Sequence, residues 1–140
     1  MQTIQNGIVG AIMSAQKHLE NQDFLLLLGD EYYSLNIIPG LLKTFTSSSP
    51  DILIAYLLES QQERIKNNYT FIVKDTRLLQ FIEKPQDPMT PFMGLGSIIF
   101  SKKVWPFFEN AGTTNKSLEL VDIFNLAIKY GLYCQIKNVN

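Results

Sequence analysis

Charged side chains follow two apolar, strand-like segments of this sequence. Asp30 comes just after Phe24–Leu28. Glu83 and Lys84 come just after Leu78–Ile82. In layered α/β proteins ligands bind beyond the carboxyl ends of the strands. A carboxylate there can hold Mg²⁺ while the ion keeps several waters, and an ammonium can neutralise a phosphate. The pattern therefore favours a site for a metal and a phosphate.

Each of these segments also has an ordinary structural explanation. Gly29-Asp30 after a strand is a common turn, and Glu83-Lys84-Pro85 is a common solvated strand end. Asn6-Gly7 is a third candidate, because it precedes a predicted helix whose first N–H groups would attract a phosphate. The same pair is also a plain helix start. Spacing alone leaves both explanations open at all three places.

Apolar spacing predicts the elements that must position these side chains. Helices are predicted over 8–20, 39–45, 103–110 and 118–130, and strands over 24–28, 52–58, 69–74, 78–83, 93–100 and 132–136. Residues 61–68 are polar and are predicted to be irregular. The alternation indicates an α/β layered domain with a largely parallel sheet, which the hairpin around Lys74–Arg77 makes mixed.

Length and composition exclude several classes of protein. The 140 residues fit one domain, 1–140, and 46% hydrophobic with 18% charged residues is a globular composition. A net charge of -1 argues against a nucleic-acid partner. No apolar run approaches the roughly 20 residues that span a bilayer, so no membrane partner is expected. The lone cysteine, Cys134, cannot form an internal disulfide, which favours a cytoplasmic location.

Five short motifs follow one another in a suggestive order. They are Gln2 with Gly7 and Ala11, Leu-Leu-Leu-Leu-Gly-Asp (25–30), Phe-Ile-Glu-Lys-Pro (81–85), Met-Gly-Leu-Gly-Ser-Ile-Ile-Phe (93–100) and Leu-Glu-Leu-Val-Asp (118–122). Together they resemble the nucleotidyltransferase domain of the sugar-nucleotide pyrophosphorylases, and within it the glucose-1-phosphate thymidylyltransferases and uridylyltransferases. The resemblance implies a Rossmann-like, GT-A-type three-layer α/β/α fold with a mixed, mostly parallel sheet, incomplete at its N-terminus.

The resemblance also implies a reaction. A nucleoside triphosphate, dTTP or UTP, and a sugar 1-phosphate would give an NDP-sugar and pyrophosphate with Mg²⁺ as cofactor. The sugar phosphate attacks the α-phosphorus in line, so catalysis rests on positioning and charge stabilisation. By the family pattern, Gln2 and Gly7 would contact the nucleotide base, and Asp30 would hold Mg²⁺ against the phosphates.

The sugar side of the implied site draws on two later motifs. By the family pattern, Glu83 would accept hydrogen bonds from sugar hydroxyls, and Lys84 would bind the sugar phosphate. Glu119 lies in the late acidic motif, which lines or supports the sugar. The resemblance therefore names Asp30 and Lys84 as the residues that act on the reacting phosphates.

The sequence departs from the family pattern in four places. The G-x-G-T-R loop that binds the triphosphate has no match, and a second metal-binding residue would fall near Asn140, where the sequence ends. Gly94 stands where many members have Asn, and a Gly usual in the hairpin is replaced near Thr70. We therefore expect a fragment of an enzyme that is inactive by itself. The alternative is a non-catalytic nucleotide- or sugar-phosphate-binding or assembly module of the same fold.

The missing N-terminal strands carry a further expectation. In the family's sheet they would pair beside Phe24–Leu28, and without them this apolar segment is an open edge. An open apolar edge invites pairing with another chain. We therefore expect this chain to form a homo-oligomer.

Overall fold

The computed structural model of the protein describes residues 7–19, 21–31, 37–113 and 117–140. Its helices are α1 (Gly7–Leu19), α2 (Ile37–Ser48), α3 (Gln62–Lys66), α4 (Trp105–Gly112) and α5 (Leu120–Lys129). Its strands are β1 (Phe24–Leu27), β2 (Ile52–Leu58), β3 (Tyr69–Lys74), β4 (Arg77–Glu83), β5 (Phe92–Phe100) and β6 (Cys134–Asn138). A 3₁₀ turn, Lys102–Val104, leads into α4. None of the helices in these ranges is long and apolar enough to cross a membrane.

Four strands form the main sheet in the order β1-β5-β2-β6. β2 and β6 are parallel, and β5 lies antiparallel between β1 and β2. The predicted mixed sheet is confirmed, but the hairpin is not what makes it mixed, because β3 and β4 form a separate two-stranded sheet. The antiparallel strand is β5, since the connection 84–91 returns the chain to the edge where β1 and β2 end.

Two hydrophobic clusters cover the two faces of the main sheet. The larger contains α1, α4, α5 and the hairpin, and the smaller contains α2. Along β2, Ile52 and Ile54 belong to the larger cluster, whereas Leu53 and Ala55 belong to the smaller one. β2 is therefore buried on both faces, as its continuous apolar sequence predicts, and the three-layer α/β/α architecture is confirmed.

The segment predicted to be irregular contains a short helix, α3, so that prediction was wrong. Ile65 is buried and anchors the helix, which contacts β3 and β5. Lys66 Nζ pairs with Glu63 Oε1 at 2.7 Å along it, and Arg64 pairs with Glu59 at 2.8 Å. A helix with only one buried residue shows no apolar periodicity, which is why the spacing did not indicate it.

β1 lies at one edge of the sheet and is paired with β5 alone among the described strands. Its four residues are apolar, and Leu27 is 45% exposed. None of the usual protections of an edge, a Lys, a Pro or a bulge, occurs within it. The expected self-association stays a prediction: light scattering of the purified chain should give at least a dimer mass, and a monomer mass would contradict it.

Cys134 opens β6 and is a free, half-buried thiol. Burial, followed by the negative charge of Asp51, raises the pKa of this thiol to about 12. The thiol therefore stays protonated at neutral pH and has the character of a small apolar side chain, not of a reactive one.

Asp51, just before β2, joins the beginnings of three elements. Its Oδ2 accepts a hydrogen bond from the Tyr133 N–H at 2.8 Å, and its Oδ1 pairs with Lys103 Nζ at 3.1 Å. Its backbone carbonyl accepts from the Ser101 N–H at 2.8 Å. Since Asp51 is only 8% exposed, its carboxylate contacts are poorly replaced by water.

We expect Asp51→Ala to lower the free energy of unfolding by about 1–3 kcal/mol, because the Tyr133 N–H loses its acceptor. Lys103→Ala is the control, since the Lys103 side chain is 70% exposed and its loss should cost less than about 1 kcal/mol. Urea unfolding measures both. Equal losses for the two variants would mean that the ion pair, and not the backbone contact, is what matters.

Candidate functional site

The loop after β1 is fixed against the first half of β5. Asp30 is exposed in this loop. The next residue, Glu31, is half-buried, and both of its carboxylate oxygens accept from the Gly96 N–H at 2.9 Å. The Leu28 N–H donates to the Gly96 carbonyl at 3.2 Å. Asp30 is thus exposed at the carboxyl edge of the sheet, and the nearby residues Leu28 and Glu31 fix its loop by their bonds to Gly96 of β5.

Two glycines let other side chains pack directly on the β5 backbone. A Cβ at Gly96 would overlap the side chain of Leu28, and a Cβ at Gly94 would overlap the ring of Tyr69. The hydroxyl of Tyr69 donates to the Leu95 carbonyl at 2.6 Å. The two glycines of the Met-Gly-Leu-Gly motif are therefore needed so that Leu28, just after β1, and Tyr69 of β3 can pack against the β5 backbone.

The hairpin brings the Glu-Lys-Pro motif to the same half of β5. Glu83 is the last residue of β4 and pairs with Tyr69 of β3. The Lys84 N–H donates to the Asn68 carbonyl at 2.7 Å, and Lys84 has a φ of 41°. This left-handed conformation is unfavourable for a lysine, and such residues concentrate at functional sites. The side chain of Lys84 is exposed and thus accessible to a ligand.

Glu83 lies among other charged groups. Partial burial raises its pKa above the usual range, and the negative charges of Glu119 and Asp122 act in the same direction. The Lys84 ammonium acts in the opposite direction. The charges of Lys84 and Glu119, the other two predicted sugar-side residues, therefore both act on Glu83.

α5 holds this cluster in place at two points. The Glu119 N–H, just before α5, donates to Asp122 Oδ2 at 2.9 Å, so the helix start is capped. One turn further on, Asn125 accepts from the Phe81 N–H at 2.8 Å and donates to the Phe81 carbonyl at 2.9 Å. The side chain of Asn125 thus bonds both backbone groups of Phe81, as a neighbouring strand would. Phe81 lies two residues before Glu83 in β4.

The nucleotide-side predictions remain open. Gln2 lies outside the described residues. Gly7 is the exposed first residue of α1 and has a φ of 63°, a conformation that favours glycine. No hydrogen bond between described residues joins Gly7 to Asp30, Glu83 or Lys84. The base-binding role of Gln2 and Gly7 therefore stays a prediction.

Three residues of the site were not identified from the sequence: Glu31, Tyr69 and Asn125. Glu31 directly follows the Gly-Asp pair, so its position alone could have drawn attention to it. The hairpin pattern brings Tyr69 near the end of β4, but its pairing with Glu83 depends on a register shift that the sequence does not reveal. Nothing in the sequence indicates that Asn125 bonds to β4.

The donor groups near Asp30 suit a metal ion that arrives with a phosphate ligand. Within the described ranges, no three His, Cys, Asp or Glu side chains come together to hold an ion. Mg²⁺ binds through one or two carboxylates, with water and substrate phosphates as its other ligands. A single carboxylate, that of Asp30, is enough for such a Mg²⁺ site. The neighbouring Glu31 carboxylate is already used as the acceptor of the Gly96 N–H.

The fold and the site together define a class of protein. The family model described as nucleotidyl transferase matches residues 1–138, and the chain belongs to that family. This confirms the resemblance to the sugar-nucleotide pyrophosphorylases. No curated protein matches the chain significantly.

Two solved structures show particular relatives of this fold. One is a protein from Bacillus anthracis assigned as a glucose-1-phosphate thymidylyltransferase, in complex with sucrose, with 20% identity and a TM-score of 0.79. The other is apo-UDP-glucose pyrophosphorylase, with 14% identity and a TM-score of 0.78. Each match covers 96% of this chain but only 53% and 54% of the respective relatives. The chain therefore spans about half the length of these proteins.

The raised pKa of Glu83 predicts an effect on stability. Because folding disfavours its charged form, the ionised carboxylate destabilises the fold at neutral pH, and this penalty disappears as the pH falls through the raised pKa. We expect Glu83→Gln to raise the melting temperature at pH 7, with a difference that shrinks on acidification. Glu63→Gln, on exposed α3, should not raise it. A gain for Glu83→Gln that is independent of pH would contradict this electrostatic cause.

Proposed function

We propose that the protein is a sugar-1-phosphate nucleotidyltransferase, which forms an NDP-sugar and pyrophosphate from a nucleoside triphosphate and a sugar 1-phosphate. The observation that carries the proposal is that Glu83 and Lys84, at the end of β4, and Glu119, just before α5, lie on elements that Asn125 bonds together, in a chain of the nucleotidyl transferase family. Asp30 lies just after β1, and its neighbour Glu31 is bonded to Gly96 of β5. Tyr69, which pairs with Glu83, is bonded to Leu95 of the same strand.

The sugar 1-phosphate would bind at the end of β4. The ammonium of Lys84 would neutralise the phosphate, and the carboxylate of Glu83 would accept hydrogen bonds from sugar hydroxyls. The exposed carboxylate of Glu119 would support the same side. An oxygen of the sugar phosphate would then attack the α-phosphorus, and pyrophosphate would leave from the opposite side.

Mg²⁺ is the cofactor that we propose, with Asp30 as the carboxylate that would hold it. When bound, the ion neutralises charge on the nucleotide phosphates. Asp30 itself is placed for this by Glu31 and Leu28, which are bonded to Gly96. Gln2 and Gly7 would contact the base of dTTP or UTP.

Pyrophosphate release by the full gene product tests the proposal. The protein is incubated with glucose 1-phosphate, Mg²⁺ and either dTTP or UTP, and pyrophosphate and the NDP-sugar are measured together. We expect equal amounts of the two products only when both substrates and Mg²⁺ are present, and no product in excess EDTA. Pyrophosphate formed without the sugar phosphate would contradict the proposal.

The same experiment addresses the non-catalytic alternative. Binding of glucose 1-phosphate in a calorimeter, without product from any nucleotide, would indicate a binding module of the same fold. We place the reaction in the cytoplasm, because nucleoside triphosphates are substrates and the single cysteine is a free thiol.

A further inference from the structure

The peptide group between Leu95 and Gly96 is bonded at both ends by side chains from different parts of the site. Its carbonyl oxygen accepts from the Tyr69 hydroxyl at 2.6 Å. Its N–H donates to both carboxylate oxygens of Glu31 at 2.9 Å. Both contacts are partly buried, so water competes with them weakly. A single peptide plane therefore connects a carboxylate to a phenol.

Hydrogen bonds at the two ends of a peptide group strengthen each other. The negative charge of Glu31 pulls on the N–H, which makes the carbonyl oxygen of Leu95 more negative and a better acceptor for Tyr69. The Glu31 contact is also charge-assisted and stronger than a neutral one. Removing either side chain should therefore weaken the bond made by the other.

The link formed by Glu31, the Leu95–Gly96 peptide and Tyr69 joins the two groups of proposed functional residues. Glu31 directly follows Asp30 in the chain. Tyr69 pairs with Glu83 across the hairpin, and Lys84 follows Glu83. The ring of Tyr69 is held by Phe81 and Phe124, with centroids 6.1 and 5.8 Å away. A displacement of Glu31 should therefore also displace Tyr69, and the reverse.

We propose that Glu31 and Tyr69 are positioning residues, which set the separation between Asp30 and the pair Glu83–Lys84 through the Leu95–Gly96 peptide. This inference rests on the nucleotidyl transfer proposed above. The nucleotide phosphates and the sugar phosphate must meet in line, and small errors in their separation are costly for such a reaction. The link acts on that separation and not on the affinity for either substrate.

Kinetics of Glu31→Ala, Tyr69→Phe and the double variant test the inference in the full gene product, with glucose 1-phosphate and the nucleotide that the wild type uses. Each single change should lower kcat about 10-fold or more, while KM for glucose 1-phosphate changes less than about threefold. Because both changes break one link, the double variant should be about as slow as the slower single variant. Tyr130→Phe and Glu63→Gln, both exposed and not among the side chains bonded to the Leu95–Gly96 peptide, are matched controls expected at the wild-type rate.

The amide signal of Gly96 in NMR spectra gives a readout that needs no turnover. Tyr69→Phe should shift this amide proton, although the hydroxyl lies on the other side of the peptide. The inference would be overturned if the Gly96 amide signal did not shift or if both single variants had the wild-type kcat. It would also be overturned if the decrease in kcat of the double variant were the product of the two single decreases. Wild-type protein without turnover would instead overturn the proposed function, and the positioning role would fall with it.

Discussion

Replacing Lys84 with alanine is expected to lower the rate of nucleotidyl transfer about 30-fold or more, because a charge-assisted phosphate contact contributes about 2–4 kcal/mol. Lys84 is the exposed cation at the end of β4, and it interacts with the carboxylate of Glu83. The measurement is pyrophosphate release from glucose 1-phosphate and the preferred nucleotide. Lys74→Ala, at the exposed tip of the same hairpin, is the control and should stay at the wild-type rate.

The backbone of Lys84 allows a second variant that separates activity from stability. Its φ of 41° suits glycine, so Lys84→Gly should be more stable than Lys84→Ala by about 1 kcal/mol. Both variants lack the ammonium and should be equally slow. An unchanged rate in Lys84→Ala would remove Lys84 from the site. A rate that followed stability across the two variants would show that the loss came from folding.

Gly94→Ala is expected to lower the free energy of unfolding by about 3 kcal/mol, at the upper end for an overpacked core. The new Cβ would overlap the ring of Tyr69. That ring cannot easily move away, because it packs against Phe81 and Phe124 and its hydroxyl is bonded to Leu95. Urea unfolding measures the loss, and the displaced Leu95–Gly96 peptide should also slow turnover.

Two variants show whether the clash is the cause. Gly29→Ala is the matched control, because a Cβ there meets no atom within 4 Å, and it should leave stability within about 0.5 kcal/mol of wild type. In a Tyr69→Ala background there is room for the Cβ, so the additional cost of Gly94→Ala should fall below about 1 kcal/mol. A cost that is the same in both backgrounds would exclude the clash with Tyr69.

The hairpin shows how far the sequence could predict the fold. Its limits were predicted well, because Asp75 and Thr76 form a tight turn, and both have the positive φ that a two-residue hairpin turn of type I′ requires. Its register was not predictable. An irregularity between Ile72 and Val73 shifts the pairing, so that Tyr69 lies opposite Glu83. Strand patterns do not reveal such a bulge, because it depends on packing around the hairpin.

Two other boundaries moved for reasons that lie in hydrogen bonding. Strand β6 was predicted over 132–136 but is Cys134–Asn138, since the Leu132 N–H still bonds to Ala127 at the end of α5. Helix α2 continues to Ser48 although it was predicted to end at Phe45. Hydroxyls of its Ser and Thr residues bond back to helix carbonyls, such as Thr46 Oγ1 to Leu42 at 2.9 Å. Polar residues of this type favour a loop or prolong a helix according to such local contacts.

For the site, the sequence predicts which residues would touch substrate in the proposed reaction, and the tertiary structure is needed to find the residues that hold them. Asp30 and Lys84 stand at strand ends within motifs, so their positions could be predicted. The contacts of Glu31 and Tyr69 arise because the loop after β1 and the hairpin meet at β5. That meeting depends on the reversed direction of β5, which the alternating pattern does not indicate.

The reactivity of the half-buried Cys134 thiol can be used to measure local unfolding at β6. With the pKa of the thiol raised to about 12, very little thiolate is present at pH 7, so an alkylating reagent reacts slowly while β6 stays in place. Separation of β6 from β2 would expose the thiol and restore ordinary reactivity. The alkylation rate at this single cysteine therefore measures how often that edge of the sheet opens.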